Sequence, residues 1–76
     1  PMPFEVLVLV LYAATQGYID ELPVKKVGEY ESELIAYFKS EKSDILDELR
    51  ATKSLNDGVV AGFKEGIKAF GERFGA

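Results

Sequence analysis

Phe4-Glu5-Val6-Leu7-Val8-Leu9-Val10-Leu11-Tyr12 is the stretch on which the fold turns. Read alone, it is β-branched, apolar and short, the pattern of a buried strand. Its continuation argues otherwise. Ala13-Ala14-Thr15-Gln16 extends it smoothly, and Gly17 stands where a helix needs a residue free to turn left-handed. Pro1-Met2-Pro3 is an extended lead-in, because proline fixes its own φ and moves its predecessor away from helical angles. A helix over about 3–16, with Pro3 near its first turn, accounts for the whole segment. A lone strand would also find no obvious partner elsewhere in the chain.

Downstream, Tyr18 to Leu22 is a turn and Pro23 opens a second helix, 23–41. Val24, Val27, Tyr30, Leu34 and Phe38 recur every three or four residues as its apolar stripe. Glu29, Glu31 and Glu33, mixed with Lys25, Lys26 and Lys39, make a solvated face with weak pairs. Ser43 is expected to cap a short third helix, 44–52, with Ile45, Leu46 and Leu49 pointing one way. Thr52-Lys53-Ser54 is the break. Asn56 is expected to cap a fourth helix, 57–74, with Leu55 and Val60 as a hydrophobic staple. Its buried stripe reads Val60, Phe63, Ile67, Phe70 and Phe74. The expectation is an all-α, single-domain bundle of about four helices spanning residues 1–76.

Gly58, Gly62 and Gly66 lie four apart on one face of that last helix, with Gly71 and Gly75 beyond. An interior helical glycine costs about 1 kcal/mol against alanine. Two readings stay open: a groove that lets helices approach closely, or glycines tolerated on a helix supported by its neighbours. The membrane form of the motif does not transfer, since Lys64, Glu65, Lys68, Glu72 and Arg73 interrupt it.

Composition narrows the function. A chain of 76 residues has a thin core and, with no cysteine, no disulfide or thiolate zinc site to reinforce it. No His, Cys or Trp occurs anywhere, which removes the usual general base, metal ligand and strongest nucleophile. Ser32, Ser40, Ser43 and Ser54 have no imidazole to activate them. Asp44, Asp47 and Glu48, or Glu29 and Glu33, read as solvated acidic faces rather than metal cages. No catalytic, cofactor or metal residue is therefore assigned. A net charge of −4, with scattered cations, disfavours nucleic acid and anionic membrane surfaces. The apolar run Val6–Ala14 is too short for membrane insertion, and no signal peptide is visible, so a cytoplasmic location is expected.

Several segments, taken in order, resemble the C-terminal helical domain of the alpha subunit of rotary ATP synthases. They are Tyr12-Ala13-Ala14-Thr15-Gln16-Gly17-Tyr18-Ile19-Asp20, Tyr30-Glu31 with Leu34-Ile35 and Phe38, and Asp44-Ile45-Leu46-Asp47-Glu48-Leu49-Arg50. The resemblance covers nearly the whole chain. It implies a helical bundle forming one end of a larger subunit, in a ring of alpha and beta subunits around a rotating stalk. The domain would be membrane-peripheral there, and the nucleotide-binding domain would precede it. No phosphate-binding glycine-rich loop with its lysine occurs here, so ATP binding is not expected. Helix 1 departs from the family pattern. Val6-Leu7 replaces residues that are usually polar, Leu9 replaces a small one, and Met2 and Phe4 are bulky. Lys53 stands where a glycine is common, at a position expected to be left-handed.

A helix apolar all round is normally buried on every side, which a small bundle cannot achieve alone. Met2, Phe4, Val6, Leu7, Leu9 and Val10 are therefore the candidate interface, reaching a patch of several hundred Å². One reading is a self-associating or partner-binding module on an engineered version of the alpha scaffold, its partner a second copy or a designed protein. The other is the native structural domain, whose partners are other ATP synthase subunits. Val6–Leu11 is also a β-prone, uncharged run, an aggregation hazard when uncovered.

Overall fold

The computed structural model describes residues 2–74, so Pro1, Gly75 and Ala76 lie outside the described residues. Four helices follow one another: α1 Phe4–Thr15, α2 Val24–Glu41, α3 Ser43–Thr52 and α4 Asp57–Phe74. The conflict in the opening stretch resolves to helix. Pro3 holds the N-cap, and its carbonyl accepts the Leu7 N–H at 2.9 Å. Gly17 ends α1 at φ 83°. There the Tyr18 N–H donates to the Ala13 carbonyl at 3.1 Å and the Gly17 N–H to Ala14 at 3.2 Å, satisfying carbonyls that α1 leaves open.

The inward face of each helix follows the expected period, with corrections at the ends. On α2, Tyr30, Leu34 and Phe38 are buried, but Val24, the first residue of the helix, is 91% exposed and not part of the buried stripe. Ser43 is not a cap. Lys42 alone separates α2 from α3, and its carbonyl takes the Ile45 N–H at 3.1 Å, so Ser43 is already helical. Asn56 does cap α4, its Oδ1 accepting the Val59 N–H at 2.9 Å. The side-chain amide also donates to Glu48 Oε2 at 3.2 Å, tying the start of α4 to α3. Val59, rather than Val60, leads the buried stripe of α4, followed by Phe63, Ile67 and Phe70, with Phe74 half-buried. Leu55 stands 49% exposed, beside α1.

One core joins all four helices, and α3 packs against each of the others. Aromatic rings knit it together. Phe63 lies 5.3 Å from Tyr12 and 5.8 Å from Phe38, while Tyr30 meets Phe70 and Phe74 at 5.2 Å each. Such tilted and edge-on pairs add to area burial. The glycine stripe splits in two. A methyl at Gly66 would stand 2.5 Å from the Phe38 ring, and one at Gly62 2.5 Å from Ile45 Cδ1. At those two positions the close-approach reading holds. Gly58 meets nothing tighter than 3.4 Å, and Gly71 has open space.

Candidate interaction surface

Helix α1 divides into two faces, both apolar. Glu5, Val6, Leu9, Tyr12 and Ala13 point inward. Phe4, Leu7 and Leu11 point outward and are exposed, with Val8, Val10 and Ala14 half-buried at the margins. Successive residues turn by about 100°, so positions 4, 7, 11 and 14 fall on the side opposite Leu9.

This phase corrects the candidate interface. Val6 and Leu9 retain only 3% and 0% of their surface and belong to the chain's own core, so neither is available to a partner. Met2, Phe4 and Leu7 are 44–48% exposed, and Val10 is half-buried. Leu11, at 53%, and Leu55 complete the outward patch, and sequence reasoning missed both. Beside the seam, Val8, Leu11, Tyr12, Thr15, Gln16 and Leu55 line an open groove of about 260 Å³.

Glu5 explains how an acid can sit on the inward side. It is 7% exposed, and Arg50 Nη1 from α3 donates to its carboxylate at 3.2 Å. Arg50 Nη2 is held by Asp47 at 2.6 Å, one turn back on α3. The hydrogen bonds that Arg50 donates, to Asp47 first and then to Glu5, raise the pKa of the guanidinium still further. Arg50 thus pins the first turn of α1 to α3 and covers a carboxylate that would otherwise be costly to bury. Close by, Lys53 leaves α3 at φ 54°, and its ammonium lies 5.1 Å from the Phe4 ring centroid. The expected left-handed position is real and is occupied by a residue that disfavours it.

A second open cleft, between α2 and α4, is lined by Glu33, Tyr37, Ser40, Phe70, Arg73 and Phe74, among others. There Arg73 stacks on Tyr37 at 4.9 Å. Among the described residues no group of three or more His, Cys, Asp or Glu side chains could hold a metal ion, and no helix is long and apolar enough to cross a membrane. Burial lifts the Tyr12 and Tyr30 phenols above their ordinary pKa of 10.0, with repulsion from Tyr18 adding to it.

The fold is that of a small all-α helical-bundle domain, with apolar side chains of α1 left exposed. Residues 1–70 match the family described as ATP synthase alpha/beta chain, C terminal domain, and the chain belongs to that family. It is similar to ATP synthase subunit alpha of Aquifex aeolicus (strain VF5), with 39% identity over 74 residues. That alignment covers 97% of this chain but only 15% of the relative, so the chain spans a small part of the curated protein it matches.

Proposed function

We propose that this chain serves as the C-terminal helical domain of an alpha-type ATP synthase subunit, a non-catalytic element that supports assembly through protein contacts. The observation that carries this reading is the alignment itself. It runs through all four helices and shares 39% identity with an alpha subunit. The exposed apolar area and the ion pairs of the surface fit a role in protein contacts. The family match runs through α1, which favours a natural domain over a helix rebuilt by engineering. The partners implied are other subunits of the synthase, reached in a membrane-peripheral setting.

Grafting tests it. The matching segment of the Aquifex aeolicus subunit would be replaced by this chain, and the product compared with the parent and with a subunit lacking the segment. The graft is expected to enter the same assembly as the parent. A graft that is folded and soluble yet behaves like the truncated subunit would overturn the proposal.

A further inference from the structure

The cleft between α2 and α4, about 340 Å³ in volume, has an aromatic floor and an acidic rim. The Tyr37 and Phe70 ring centroids stand 5.7 Å apart, and Phe74 lies 5.6 Å from Phe70. Ring faces of this kind attract cations, and one is already in place: the Arg73 guanidinium lies 4.9 Å from the Tyr37 centroid. On the α2 side, Glu33 and Glu41 come four residues before and after Tyr37, on the same face of the helix. That spacing sets their carboxylates about 12 Å apart along the axis. Among the described residues, ion pairs form at Glu5, Glu29, Asp47 and Glu65, and none at Glu33, Glu41 or Arg73. Ser40, between the two acids, donates its hydroxyl proton to the Tyr37 carbonyl at 3.3 Å, so its oxygen faces the cleft as an acceptor.

The α2 rim therefore offers acceptors and negative charge, which a donor-rich, positively charged occupant complements. We infer that the cleft receives a basic helix of a protein partner, whose two Lys or Arg residues, two turns apart, meet Glu33 and Glu41. Two turns of a partner helix rise about 11 Å, close to the separation of the two acids. The aliphatic stems of those side chains lie over the aromatic floor while their charged heads stay at the rim. Arg73 carries the same charge as the incoming side chains and occupies the Tyr37 face, so it competes with them and keeps the contact weak. The net charge of −4 adds a longer-range attraction for a basic partner. This inference rests on the role proposed above, in which the partners are other subunits, and names the chemistry of one contact.

The probe is an alanine-rich peptide of about 18 residues, long enough to hold a helix, with two arginines two turns apart. Its control carries glutamines at the same two positions. Added to the 76-residue chain, the arginine peptide is expected to move the backbone amide resonances of Tyr37, Glu41 and Arg73, with a Kd on the order of 100 μM. Glu33→Gln and Glu41→Gln, both at exposed positions, should leave the far-ultraviolet circular dichroism unchanged and weaken binding about 2–5-fold each. Arg73→Gln should tighten it by a similar factor, since a competing charge leaves the floor. No binding, equal binding of the glutamine peptide, or weaker binding to Arg73→Gln overturns the inference. So do shifts centred on Asp44, Asp47 and Glu48 of α3 instead of the cleft. The same titration is run on the grafted full-length subunit. Binding by the chain but not by the folded graft shows that the subunit covers its own cleft, and overturns the inference as well. A graft that assembles while the peptide fails to bind removes this contact and leaves the proposed role standing.

Discussion

Lys53 and Glu5 show how single residues set the geometry of this domain. Lys53 holds a left-handed conformation that costs a side chain about 1–2 kcal/mol, partly offset by its approach to the Phe4 ring. Lys53→Gly should therefore stabilise the chain by about 0.5–1 kcal/mol, seen as a higher midpoint in urea; a lower midpoint would mean the cation–ring contact dominates. Glu5 runs against the usual rule for a charge in an apolar helix. A lone charge in an apolar helix ordinarily marks the solvent side, yet Arg50 lets this one lie inward. With no polar residue on the true outer face, nothing in the pattern separated Leu9 from Leu11. The partnership joins residues 45 positions apart, which no local periodicity encodes. By contrast, Asn56 was legible because capping is a local matter. Asn56→Ala should cost about 1 kcal/mol, measured by the same unfolding curves.

At the scale of elements, helix identities and boundaries were readable because Pro3, Pro23, Gly17 and Asn56 punctuate the chain by backbone chemistry. The α2–α3 junction was less so. A one-residue break at Lys42 leaves no room for a separate cap, and Ser43 is absorbed into the helix. The glycines of α4 differ for a reason that only packing reveals. Gly66 faces the tip of the Phe38 ring, which is fully buried and cannot swing aside. Gly66→Ala should cost about 1–3 kcal/mol through overpacking. Gly62→Ala should cost less, because the atom it meets is the flexible end of Ile45. Gly28 has open space around it, so Gly28→Ala in the middle of α2 should instead stabilise by about 0.5–1 kcal/mol. Equal effects at Gly66 and Gly28 would contradict this account of the α2–α4 contact.

Taken whole, the molecule is a thin-cored bundle whose stability depends on its aromatic interior. The interior gives a pH signature. Folding raises the Tyr12 and Tyr30 pKa values above 10.0, so the folded state favours the neutral phenols. That contribution is fully present below about pH 10 and is lost as the pH rises towards the folded values. Unfolding free energy should accordingly fall in alkali, and the Tyr12→Phe, Tyr30→Phe double variant should flatten the fall. The fold class and the family resemblance were both visible in the sequence, since order of segments and helical period survive without contacts. Which half of α1 stays exposed was not, because an all-apolar helix has no polar boundary to read. The most direct measurement compares Leu9→Ala with Leu11→Ala, the same change two residues apart, by unfolding at high dilution. The account predicts a loss of about 2–5 kcal/mol for Leu9→Ala, which empties a fully buried site. Leu11→Ala should lose less than about 0.5 kcal/mol, as a surface change does. Similar losses at the two positions, or the reverse order, would contradict the division of α1 into a core face and an exposed face.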